Sequence, residues 1–300
     1  MKSIIGAKDY EYLEVLRLCR ELSSRYPFLK MRSIGRSCAG REIFCLILGK
    51  SDEYVLYTAA THGSEHITCN VALGFVELLC EALKNGEEIA GVDARRAFYG
   101  KGIIVVPLHN PDGCEIAVKG EKGAGYMSGK IKRLCGGDFA HWNANLRGVD
   151  LNHNFSAGWD ELRALEKSEG IYGPAPTRFG GFSPESEPET IALTTLCRTK
   201  SIRHVVALHT QGECIYWTWG NHNPPHSKRM AEILAAESGF ALEYPTGLAV
   251  GGGFKDWFIE EFDRPGFTIE LGKGKNPLPA DSFYSLFDSA LPLLTLSAIM

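Results

Sequence analysis

Polar residues stand where the apolar runs of this chain end. His62 follows YVLYTAAT, His109 and Asn110 follow IIVVPL, His209 follows VVAL, and Glu270 closes GFTIE. Such runs read as strands buried on both faces, and in open α/β sheets ligands and chemistry collect at the carboxyl ends of strands. Singly, each of these side chains is an ordinary hydrogen-bonded group near the surface. His109 is read that way, with Asn110 and Asp112 shaping the NPDG turn. His62, His209 and Glu270, taken with Glu65, make a set that can hold a metal and move a proton. Hydrolytic zinc sites commonly take two His and one Glu and keep a position for water. His62 and Glu65 of THGSEH supply two ligands to one zinc ion and His209 the third. Glu270, at the same sheet edge but not a ligand, is the base that takes the water's proton and hands it to the leaving amine.

The same stretch allows a rival. His62-Gly63-Ser64-Glu65-His66 is also HxxEH, the inverted zincin pattern, in which both His bind metal and Glu65 is the base. That needs His62 and His66 one turn apart on one helix face. Here His62 directly follows a strand, and Gly63-Ser64 reads as the turn and cap before a helix that starts at Glu65. The rival also leaves His209 and Glu270 without a role.

The elements that must position these residues alternate along the chain. Residues 8–26 place Tyr12, Leu13, Leu16 and Cys19 at helical spacing. Residues 33–49 read as two short strands joined by the CAGR turn, then come the buried strand EYVLYTAA, a helix over 64–84 and a second buried strand at 102–110. Residues 111–185 are rich in Gly, Pro, Asn and Arg and predict a long irregular stretch of functional character. SEPETIALTTLCR (helix), HVVALH and CIYWTW (strands), helices over 226–238 and KDWFIEEF, the strand GFTIEL and a helix from near Asp281 complete the chain. Trp217 and Trp219 are expected on the CIYWTW strand as packing. The pattern predicts one α/β domain over 1–300 with a mixed or mostly parallel sheet, the helix and hairpin of residues 1–50 packing on it.

Composition narrows the function classes. The 300 residues are 44% hydrophobic and 23% charged, which is enough for a sizeable core and excludes a disordered chain. A net charge of -4 without a long basic block speaks against a nucleic-acid partner. No apolar run is expected to reach the roughly 20 residues of a membrane span, and the N-terminus does not read as a secretory signal. The nine cysteines form no CxxC pair and read as reduced core thiols, which with the missing signal predicts a cytoplasmic protein. No GxSxG elbow is present, and the glycines at 251–253 read as a tight loop instead of a nucleotide cradle.

These motifs resemble the zinc carboxypeptidase (metallocarboxypeptidase) family. THGSEH, HNPDG, RGVDLNHNF, ALHTQGE, GGFKDW and GFTIEL run in the family's order over residues 61–271. The resemblance implies a mixed sheet of about eight strands covered by helices. It also implies zinc held by His62, Glu65 and His209, with Glu270 as general base. In the family an Asn and an Arg hold the substrate's C-terminal carboxylate; here Asn152 is kept and His153 stands in the Arg position. A second Arg, which polarises the scissile carbonyl, is replaced by Asn143 with His141 beside it, and Arg133 and Arg147 are other sources of positive charge. The expected phenol before GGFKDW is absent, with Leu248 or a neighbour in its place and Tyr244 upstream. A His is mostly neutral near pH 7 and lacks the guanidinium's bidentate fork, so general recognition of a C-terminal carboxylate is weakened. WNANLRGVDLN with GGFKDWF resembles most the bacterial γ-D-glutamyl-diamino acid peptidases, which implies a small, cell-wall-derived peptide as substrate. A zinc deacylase acting on N-acyl amino acids and a metal-retaining binding protein without catalysis are the alternatives.

Overall fold

Near-continuous burial along β-type runs such as Tyr54–Thr58, Gly102–Val106 and Ile202–His209 puts apolar side chains on both faces of one sheet, so helices must cover both. A computed structural model describes residues 3–300. Its strands are β1 (Lys30–Arg36), β2 (Glu42–Gly49), β3 (Tyr54–Thr58), β4 (Glu88–Ile89), β5 (Val92–Asp93), β6 (Gly102–Val106), β7 (Ile202–His209), β8 (Cys214–Tyr216), β9 (Ala241–Glu243) and β10 (Gly266–Glu270). Eight of them form a mixed sheet in the order β1-β2-β6-β3-β7-β10-β8-β9, and β4 and β5 make a separate two-stranded hairpin. The four central strands β6, β3, β7 and β10 are parallel. Their carboxyl ends therefore share one edge, which is where His62, His109, His209 and Glu270 stand. The β1–β2 hairpin is antiparallel and continues the sheet as its outer edge through β2–β6 pairing.

The helices are α1 (Tyr12–Arg25), α2 (Ile67–Asn85), α3 (Ala94–Ala97), α4 (Pro111–Lys119), α5 (Glu121–Ala124), α6 (Ser128–Cys135), α7 (Trp159–Ser168), α8 (Pro188–Thr199), α9 (Ser227–Ser238), α10 (Phe254–Phe262) and α11 (Phe283–Ile299). One face of the sheet packs through Val55, Tyr57, Ile103 and Val105 against Leu18, Phe75 and Leu294 of α1, α2 and α11. The other packs through Leu56, Ile104 and Val205 against Leu193, Phe254 and Trp257 of α8 and α10. A smaller core of Ile116, Ile131, Trp142 and Leu146 lies under residues 111–146.

Three expectations are corrected. The stretch 111–185 is not irregular throughout: it holds α4, α5, α6 and α7. These helices are short, and the glycines that stop them, Gly120 and Gly136 at φ 60° and 61°, break the periodicity that would reveal them. The CIYWTW strand ends at Tyr216, so Trp217 and Trp219 lie beyond it, Trp219 in an isolated bridge to His222. The C-terminal segment Ala280–Ile299 is long and apolar enough to cross a membrane by length and composition. In this fold its helix packs against α2 and α9, burying Leu293 and Leu294.

Candidate active site

The turn after β3 is set by close backbone approach. A Cβ on Gly63 would lie 2.4 Å from the carbonyl oxygens of both Gly113 and Trp142, so only glycine lets the chain pass there. Thr68 Oγ1 accepts from the Ala60 amide and donates to the Glu65 carbonyl, both at 2.8 Å, closing a short 3-10 turn over Gly63–Glu65 before α2 begins. His62 stays extended at the strand end while Glu65 turns inward.

His209 ends β7 and lies directly beside Glu270 of β10 in the parallel register. His62, Glu65 and His209 have ligand atoms that all lie within 4.8 Å of one another. His62 Nδ1 is 2.9 Å from Glu65 Oε1, and His209 Nδ1 is 3.0 Å from Glu65 Oε2. Both imidazoles thus point the same nitrogen at one carboxylate. The second nitrogen of His62, Nε2, faces Asp150 Oδ1 at 3.1 Å. A neutral imidazole carries one N–H, so His62 facing carboxylates on both sides satisfies both only as an imidazolium or with a cation beside Nδ1. Burial works against charging His62, but Glu65 and Asp150 outweigh it and raise its pKa well above the ordinary value. Two imidazoles and a carboxylate in a pocket that attracts positive charge fit a zinc ion, and Asp150 is the carboxylate that would fix the ring's tautomer.

Glu270 lines the same cavity, of about 500 Å³. Burial and then the nearby Glu65 push its carboxyl pKa well above the ordinary range. A carboxyl that holds protons more readily than usual is suited to accept one and pass it on. His66 is turned away: Nδ1 faces the Gly63 carbonyl at 3.2 Å and Nε2 faces Asp9 at 3.0 Å. The inverted zincin arrangement is thereby excluded by geometry. His109 is fully buried between Thr61 and the Glu189 carbonyl, a packing role. Asn110 caps α4 through the Gly113 amide at 2.8 Å. Asp112 instead reaches across to Ser37, Ala39 and Arg41, fastening the β1–β2 turn.

The substrate residues expected from sequence divide. Asn152 and His153 line the cavity. Asn152 Oδ1 accepts from the Phe254 amide at 3.1 Å, while His153 Nδ1 is engaged by Glu166 at 2.8 Å and burial lowers its pKa. Asn143 and His141 are off the cavity. Asn143 Oδ1 accepts from Ser64 Oγ, bracing the His62–Glu65 turn, and His141 is an exposed residue paired with Asp138. Arg147 faces Glu187, and Arg133 is likewise absent from the cavity wall. Leu248 lines the cavity.

Asp150, Tyr216, Lys255, Asp256 and Arg178 are among the lining residues that sequence reasoning missed. Tyr216, at the end of β8 opposite Thr268, brings a phenol to the wall. Lys255 and Asp256, 5% and 3% exposed, line it as a contacting pair, Lys255 Nζ also donating to the Thr218 carbonyl at 2.6 Å. Arg178 lines it from the loop after α7. KDW was visible in the sequence, but which face of α10 turned inward was not. Arg178 carried no periodic signal at all.

A second donor cluster, Cys38, Glu187 and Glu189, also lies within 4.8 Å. Asn145 Nδ2 donates to Glu187 at 2.7 Å and to Glu189 at 3.2 Å, and the Cys38 amide donates to Glu189 at 2.9 Å. Burial pushes the Glu189 carboxyl up to about 7. The cluster ties the β1–β2 turn to the start of α8, away from the cavity.

The family model for zinc carboxypeptidase matches residues 15–290. The chain is 34% identical to gamma-D-glutamyl-L-diamino acid endopeptidase 1 of Lysinibacillus sphaericus, over 95% of this chain and 71% of that one. Among solved structures, bovine thrombin-activatable fibrinolysis inhibitor superposes with a TM-score of 0.75 at 19% identity, over 97% of each chain. The murein-tripeptide amidase of Escherichia coli O157 superposes with a TM-score of 0.54 at 24% identity, over 88% of this chain and 91% of that one.

Proposed function

This chain belongs to the zinc carboxypeptidase family, and we propose that it hydrolyses the amide joining a γ-D-glutamyl residue to a diamino acid in small peptides of cell-wall origin. It is a hydrolytic metallopeptidase; the bond and the source of the peptide are our reading. The observation that carries the reading is the opening of His62, His209 and Glu270 onto one cavity, with Glu65 joining the two imidazoles behind it. The relative named for that bond, matched over nearly the whole chain, supports the choice of substrate.

His62, Glu65 and His209 would hold the zinc ion, which would supply Lewis acidity for attack of water on the scissile amide. Asp150 holds the His62 ring through Nε2, leaving Nδ1 turned towards Glu65 as the nitrogen available to a metal. Glu270, as the carboxylate, accepts the proton of the attacking water and delivers it to the leaving amine, so the carboxylate is regenerated in each turnover. Nine cysteines, all free, support a cytoplasmic setting, where released wall peptides are the available form of substrate.

The test is release of free diamino acid from a γ-D-glutamyl-diamino acid peptide and from its α-linked isomer, each followed by chromatography. The γ-linked peptide is expected to be cleaved faster; preference for the α-linked isomer would overturn the assignment.

A further inference from the structure

Four cationic side chains other than the candidate zinc ligands could have met an anionic substrate: His153, Arg178, Lys255 and the more distant Arg147. Three are engaged. His153 is held by Glu166, Lys255 by Asp256, and Arg147 faces Glu187 outside the cavity. Arg178 alone lines the cavity with its guanidinium free: among the described residues it meets no carboxylate within ion-pair distance and no hydrogen-bond acceptor.

The backbone shows that this placement is imposed. Arg178 has φ 67°, a left-handed conformation that costs a non-glycine residue on the order of 1 kcal/mol. It is fixed there by its own amide, which donates to Asp150 Oδ2 at 2.7 Å, with Thr177 Oγ1 donating to the same oxygen at 3.2 Å. Asp150 is the residue that orients His62 through its other oxygen. One carboxylate therefore sets both the imidazole and the position of the guanidinium. Glycine would take this turn without strain, yet the sequence places here a side chain whose planar fork matches a carboxylate in two parallel hydrogen bonds.

We propose that Arg178 is the carboxylate anchor of this cavity, reading a free α-carboxylate next to the scissile amide. The inference rests on the γ-glutamyl reading. A γ-linked glutamyl residue keeps its α-carboxylate free, where an α-linked one spends it in the peptide bond. A terminal diamino acid offers the same group on the other side of the cut. Arg178 thus does, from a different loop, the job that His153 cannot do as a neutral, occupied ring.

Arg178→Gly is the informative variant, because it removes the guanidinium, keeps the amide bonded to Asp150 and relieves the left-handed strain. It is expected to unfold at the same or a higher temperature than wild type and to retain zinc. Three peptides separate the sources: one with both α-carboxylates free, one with the glutamyl α-carboxylate as its amide, and one with the diamino acid carboxylate as its amide. On the first, kcat/KM should fall on the order of 10- to 100-fold, mainly through KM. On the peptide whose anchored carboxylate is amidated, variant and wild type should be equal, and that identifies the group read. Arg178→Lys should recover part of the loss. An effect under twofold on the free peptide, or an equal loss on all three, overturns the anchor. If wild type leaves γ-linked peptides intact, the γ-glutamyl reading fails. The same ratio taken on an α-linked peptide and its C-terminal amide then decides the anchor by itself.

Discussion

Glu270 and His209 are register partners on adjacent parallel strands, so the proposed base and a candidate zinc ligand are spaced by the sheet itself. Glu270→Gln keeps the shape and removes the ability to accept a proton. Because Glu270 is not a ligand, zinc should remain bound while kcat falls on the order of 10²- to 10⁴-fold. Turnover within a few-fold of wild type, by the same chromatographic assay, would remove Glu270 as the base. His62, Glu65, His209 and Glu270 were legible in the sequence because charge at the end of an apolar run is a local signal. Asp150, Tyr216 and Arg178 were not. Their roles depend on which loops meet, and residues 143 and 141 show the opposite error: correct loop, side chains facing elsewhere. The guanidinium missing at residue 153 has its proposed counterpart in Arg178, on a loop that no motif pointed to.

At the level of elements, the His62–Glu65 turn depends on the contact of its backbone with two others. Gly63→Ala places a methyl 2.4 Å from two carbonyl oxygens, and neither the 113 nor the 142 backbone can retreat without moving α4 or the Trp142 core. We expect a loss of about 1–3 kcal/mol of stability, together with weakened zinc binding, because His62 and Glu65 flank the displaced residue. Chemical denaturation and a metal-competition titration read the two effects. Normal stability with unchanged zinc affinity would show that the turn is looser than the contacts require. Continuous apolar strands and long amphipathic helices such as α1 and α8 were readable from period alone. The helices within 111–185 were not, being short and ended by glycines that a sequence reading takes for loop.

On the scale of the molecule, three donors at positions 62, 65 and 209 and a base at 270 converge because four parallel strands end on one edge. Helices on both faces, including the apolar α11, hold that edge rigid. The architecture was legible from alternating elements and from the order of the six motifs. The edge position of the β1–β2 hairpin depends on strand pairing far apart in sequence and was not legible. In this reading the metal is held by residues distant in sequence, His209 among them, instead of by the two histidines of HGSEH. Zinc content of wild type, His209→Ala and His66→Ala, purified without added metal and measured by elemental analysis, tests it most directly. Near-stoichiometric zinc is expected in wild type and His66→Ala and its loss in His209→Ala; zinc retained by His209→Ala and lost by His66→Ala would mean that His62 and His66 hold the ion.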